Sequence, residues 1–177
     1  MNINGIIVQE ETNSLYRGVE GNNWYLNCFQ TFEKYYNEVI DKSWCNNNFV
    51  DVCSDVKYIQ KYISISMQKQ IDFRLILCCT ESEFPCFDFD VNHASFLGYD
   101  YAYSGGSYYS AIYNDIVSRR ICEFRKINLN KFCLFNNIEE VKYFLQKRNK
   151  LNNKYYIEKG NYLIYKLYEI MPDYFMG

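Results

Sequence analysis

The chain has one histidine, two prolines and no cysteine pair spaced as C-x-x-C. A single histidine excludes Cys₂His₂ zinc sites, which need two. Pro85 and Pro172 stand alone, and no Pro/Gly/Ser-rich stretch or internal repeat divides the chain, so residues 1–177 read as a single globular domain. No apolar run approaches the roughly 20 residues of a membrane-spanning helix. No G-x-G-x-x-G, Walker or G-x-S-x-G frame is present, which removes the common dinucleotide, P-loop and α/β-hydrolase readings. Positive charge is not in excess either. With 19 Lys and Arg against 21 Asp and Glu the net charge is −2, which argues against a nucleic-acid binder. The densest basic cluster, Lys142 to Lys150 with Arg148 inside it, lies on a helical pattern and reads as a solvated face. Met1 to Glu11 lacks a basic leader and has only Ile6-Ile7-Val8 as an apolar core, so a cytoplasmic chain is expected. Its 8 cysteines then read as reduced, small buried hydrophobes.

Tyrosine is what the chain has in abundance: 19 Tyr and 13 Phe lift the aromatic share to 19%. Codon usage biased towards Tyr, Asn, Ile and Lys accounts for part of that excess, because Asn is abundant as well. Tyrosine combines a large contact area, few rotors and a polar tip, which suits half-buried surfaces and interfaces. Six tyrosines (Tyr99, Tyr101, Tyr103, Tyr108, Tyr109 and Tyr113) surround Gly105-Gly106 in one almost uncharged stretch.

Periodicity predicts α+β: about four helices packed on a mainly antiparallel sheet. Strands are expected at Ile6–Val8, Trp24–Phe29 and Phe73–Cys79, the last a central one whose adjacent Cys78 and Cys79 point to opposite faces. Phe87–Val91 alternates as a half-exposed strand or extended loop, and residues 121–135 as one or two strands broken near Asn128–Asn130. Helices are expected after Thr31, after Ser54 (with Val56, Ile59, Ile63 and Met67 on one face), after Ser107 and after Asn137. The last has a Glu three residues beyond its cap, as a capping box requires. The tail, from Tyr155 through Leu163, Tyr165 and Leu167, reads as a closing hairpin or strand pair.

Four chemistries have partial matches in the sequence. Gly105-Gly106-Ser107 before a helix resembles an anion cradle, but without a Walker lysine two glycines more simply make a turn. Asp88, Asp90 and Asn92 alternate like the start of an EF-hand loop. His93 stands where its glycine is required and Tyr99 where its Glu is required, so no metal or cofactor is expected. Cys86 precedes His93 by seven residues, and a pocket of Cys86, His93 and nearby carboxylates is the alternative, a small cytosolic enzyme. Finally, Asp88, Asp90 and Asp100 flank Tyr99, Tyr101 and Tyr103, and the expected partner face comprises Asp88, Asp90, Asp100, Tyr101, Tyr103 and Tyr108. Tyrosine anchors bordered by carboxylates make a face for a protein partner. In an extended segment Tyr99, Tyr101 and Tyr103 share one side and Asp100 takes the other, so a single patch needs a bend.

Leu97-Gly98-Tyr99-Asp100, the Gly105-Gly106 turn, Tyr109-Ser110-Ala111-Ile112 leading to Asn114, and the helix ending Arg148-Asn149-Lys150-Leu151 before Tyr165-Lys166-Leu167-Tyr168-Glu169-Ile170 carry a resemblance. Over roughly its C-terminal half the chain resembles small bacterial immunity proteins of polymorphic-toxin and contact-dependent inhibition systems. The resemblance implies a cytoplasmic, non-enzymatic, single-domain protein that binds and neutralises a cognate toxin. It transfers no contact residues by position.

Overall fold

Leu75 to Thr80 are all buried, and the element that contains them organises the structure. The computed structural model describes residues 5–10, 56–70, 73–80, 91–103, 111–112, 115, 124, 126–132, 134–155 and 160–177. Four strands are formed among them: β1 (Gly5–Glu10), β2 (Phe73–Thr80), β3 (Ala94–Tyr103) and β4 (Tyr162–Ile170). They make one sheet in the order β1-β2-β4-β3, with every neighbouring pair antiparallel. Among the described residues two α-helices accompany it, α1 (Val56–Gln68) and α2 (Ile138–Tyr155). The architecture is α+β.

β2 is an interior strand with two cores to serve. Leu75, Leu77 and Cys79 join Ile6, Ile170, Phe175 and the α1 residues Ile59, Tyr62 and Ile63. Ile76 and Cys78 join Tyr101, Phe124, Phe135, Tyr165, Leu167 and the α2 residues Val141 and Phe144. A strand buried on both faces must be apolar at both parities, and this explains the unbroken run Leu-Ile-Leu-Cys-Cys. Cys78 and Cys79, both free thiols, take opposite sides as the alternation requires.

α2 begins as local chemistry dictates, and both helices face the sheet with their apolar stripes, with one offset; the Ser54 cap expected for α1 lies outside the described residues. Asn137 Oδ1 accepts the Glu140 N–H at 2.9 Å, the expected cap of α2. Glu139 and Glu140 place negative charge in the first turn, where the helix dipole favours it. In α1 the buried stripe is Ile59, Tyr62, Ile63 and Ser66, whereas Met67, expected on that face, is exposed. The Gln60 side chain donates to the Phe175 carbonyl at 2.7 Å and ties α1 to the 3₁₀ turn Pro172–Phe175.

Three expectations change. The tail is one central strand, β4, inserted between β2 and β3 rather than a hairpin, because Tyr155 still belongs to α2. Val91 opens a 3₁₀ turn, Val91–His93, instead of ending a strand; residues 87–90 lie outside the described residues. Among the described residues of 124–135 there is no strand, only an isolated bridge between Phe135 and Tyr99. The reason is Asn130, whose side chain takes backbone hydrogen bonds that a strand partner would otherwise take. The helices expected after Thr31 and after Ser107 and the strand at 24–29 lie wholly or mostly outside the described residues. At 111–115 one helical hydrogen bond is described, from the Asp115 N–H to the Ala111 carbonyl at 3.0 Å.

Candidate functional site

A bulge in β3 sets the geometry. Phe96 lies opposite Tyr168 and Gly98 opposite Leu167, so Leu97 is an extra residue without a partner. Gly98 sits at φ +146°, a conformation almost confined to glycine. The Asn130–Phe135 segment packs directly onto it. Asn130 Nδ2 donates to the Leu97 carbonyl at 2.7 Å, while its Oδ1 accepts the N–H groups of Phe132 (2.9 Å) and Leu134 (3.1 Å). The Asn130 N–H donates to the Leu134 carbonyl, and Tyr99 and Phe135 exchange N–H···O bonds of 2.9 and 3.0 Å. The segment is thereby fixed to the outer edge of β3.

Beyond the bulge, Tyr101 points into the interior and is fully buried. Its ring meets Phe135, Phe144 and Tyr162 at centroid distances of 6.5, 5.4 and 5.8 Å. Its hydroxyl donates to Asp115 Oδ2 at 2.7 Å. The same oxygen accepts Nε of Arg148, and Arg148 Nη2 donates to the Tyr162 hydroxyl at 2.8 Å. The guanidinium carbon stands 4.1 Å from the Tyr162 ring centroid. This network joins β3, β4, α2 and Asp115. Burial pushes the Tyr101 phenol well above its ordinary range, and the Asp115 charge pushes it further. For Arg148, burial works against the charge, and the hydrogen bond and charge of Asp115 reverse that, so the net shift is upward.

The residues proposed from the sequence as a partner face are not all on a surface. Asp100 and Tyr101 are both fully buried, with Asp100 Oδ1 accepting the Tyr101 N–H at 2.7 Å. Tyr101 is buried because α2 and Phe135 cover its face of β3, and Asp100, next along the strand, turns its Oδ1 back to the backbone instead of outward. Tyr103 ends β3 opposite Tyr162. Asp88, Asp90 and Tyr108 lie outside the described residues, as do Cys86 and Gly105-Gly106. His93 is exposed, with Tyr174 beside it at 5.7 Å between ring centroids, in a wide cleft that Asp173 also lines.

Arg148 was missed as a functional or structural residue, since its neighbours Lys147 and Lys150 are solvated as expected while it is 1% exposed. A signal was present: Arg148 falls four residues after Phe144 and seven after Val141, on the apolar stripe of α2.

Burial pushes the Cys79 thiol from its ordinary 9.0 up to about 11, with Lys166 opposing. It is therefore protonated at neutral pH and is no activated nucleophile. Both this thiol and the Tyr101 phenol have pKa values raised by folding. The Cys79 contribution to stability is thus complete well below pH 9 and is lost as pH rises towards about 11, and the Tyr101 contribution is lost only at higher pH, above its ordinary 10.0. The urea midpoint is expected to fall between about pH 8.5 and pH 10.5, and to fall less in Cys79→Ala than in the wild type. Equal falls would remove Cys79 from this account.

Outside the network, aromatic side chains reach the surface from fixed elements. Phe96 is 46% exposed against Tyr99 and Tyr168, at 5.1 and 5.4 Å between centroids. Tyr143 on α2 is 60% exposed and borders a cavity of about 240 Å³ between α2 and the Lys126–Asn128 turn.

No family model, curated protein or solved structure matches the chain. Among the described residues no helix is long and apolar enough to cross a membrane.

Proposed function

We propose that the chain is a non-enzymatic, cytoplasmic binding protein that neutralises a cognate bacterial toxin, as an immunity protein does. One observation carries the reading. Tyr101 of the tyrosine-rich segment is committed to a network with Asp115, Arg148 and Tyr162, in which Tyr101, Asp115 and Arg148 are buried. Side chains committed in this way hold a shape and are not poised for proton transfer. The aromatic area left outside, at Phe96 and Tyr143, stands on a strand and a helix. Rigid aromatic anchors on regular elements suit recognition of a protein surface, because little ordering entropy is lost on binding. The resemblance over the C-terminal half agrees with this reading. The fold that goes with it has about four helices on the sheet, two of them within residues 31–40 and 107–119.

Co-expression with the product of the neighbouring upstream gene tests it. Growth arrest by that product alone, relieved by this chain, is the expected result, with both proteins recovered as one complex. A neighbour that does not arrest growth, together with no complex, would sink the reading.

A further inference from the structure

The cavity beside α2 has a built form. Its floor is Phe135 and Phe144, both buried, and its walls are Ile127 and the exposed Tyr143. Phe144 is held at 4.7 Å from Phe124 and 5.6 Å from Phe135, between ring centroids. The opposite wall is held by the Asn130 hydrogen bonds and by the turn bond from the Ile127 N–H to the Phe124 carbonyl at 3.1 Å. A recess with fixed walls accepts a side chain with little reorganisation. Its opening carries Lys126 and Lys147, both exposed, and the Lys147 ammonium lies 4.3 Å from the Tyr143 ring centroid. Among the described residues neither lysine makes an ion pair.

We infer that this cleft docks an acidic protein segment, which inserts one aromatic side chain over Phe135 and Phe144 and sets carboxylates against Lys126 and Lys147. A volume of about 240 Å³ suits one large side chain. The third charge at the site separates protein from nucleic acid. Glu140 also lines the cleft and would face any run of phosphates, whereas a polypeptide can turn a backbone N–H towards it. Apolar insertion supplies the anchor, and the two lysines supply steering and register.

The inference rests on the binding-protein reading, and the test keeps the two apart. The full-length chain is titrated by fluorescence anisotropy with a labelled Glu-Glu-Phe-Glu-Glu peptide and with a labelled single-stranded RNA. The wild type is compared with Lys126→Glu/Lys147→Glu and with Lys61→Glu, which alters an exposed lysine on α1. All three proteins are also assayed for relief of the arrest caused by the neighbouring gene product. The peptide is expected to bind the wild type and Lys61→Glu alike, and to bind the double variant about tenfold more weakly or worse. Thermal melting of the double variant should stay within a few degrees of wild type, since both sites are on the surface. No peptide binding by the wild type, equal binding by the double variant, or RNA bound in preference to peptide overturns the cleft. Peptide binding that follows the expected pattern without relief of arrest overturns the toxin reading and leaves the cleft standing.

Discussion

Arg148→Met should destabilise the fold by about 3–5 kcal/mol, the cost of removing one partner from a buried ion pair. The substitution roughly preserves side-chain length and removes the charge. Asp115 would then be left at 2% exposure with, among the described side chains, the Tyr101 hydroxyl to answer it, and the Tyr162 hydroxyl would lose the Arg148 donor. A surface pair gives a useful contrast. Lys142 and Glu139 are 3.3 Å apart on the exposed face of α2, and breaking them should cost about 0–1 kcal/mol. Urea unfolding followed by far-UV circular dichroism reads both. Adding Asp115→Leu to Arg148→Met should restore much of the loss, because the penalty is mainly that of a charge stranded out of water. A loss below about 1 kcal/mol for Arg148→Met would show that water reaches Asp115 and that the pair does not hold the corner.

How far the sequence could be read follows from which physical signals are local. The run Phe73–Cys79 reads as a central strand because two-sided burial needs two apolar parities, and β2 is such a strand. Asn137 reads as a cap because capping needs only one side chain and the N–H three residues on. Tyr101 is a different case. Alternation places Tyr99, Tyr101 and Tyr103 on one side of a strand, but it carries no information about what covers that side. Here Phe135 and Phe144 cover Tyr101, from 34 and 43 positions further along the chain. Asp115 and Arg148 likewise look like ordinary surface charges until the fold brings them together across 33 positions. The candidate cleft was illegible for the same reason, since its lysines come from a turn and a helix that meet only in three dimensions. Asn130 lies between these cases. Its place in a polar break was visible, but the breadth of its hydrogen bonding was not, and that breadth turns an expected strand into a fixed loop.

Gly98→Ala should be about as damaging, at about 3 kcal/mol or more, from two terms that add. A backbone at φ +146° is nearly closed to any residue with a Cβ, and holding alanine there costs about 1–3 kcal/mol. The methyl group would also lie 2.7 Å from Leu134 Cβ, 2.8 Å from the Phe135 carbonyl oxygen and 2.9 Å from Asn130 Nδ2. Overpacking of this kind typically adds about 1–3 kcal/mol. The carbonyl decides the outcome. A side chain can swing away, but the Phe135 oxygen accepts the Tyr99 N–H and cannot retreat without breaking the bridge to β3. Trimming the neighbour therefore gives a specific expectation. Leu134→Ala retains the offending Cβ and should not rescue Gly98→Ala; Leu134→Gly removes it and should rescue only part, since the carbonyl contact remains. Full rescue by Leu134→Gly would show that side-chain crowding alone fixes this position. The same displacement would shift Phe135, which floors the cleft beside α2. Near-neutral Gly98→Ala, with peptide binding intact, would mean that the 130–135 segment is not anchored through Gly98 at all.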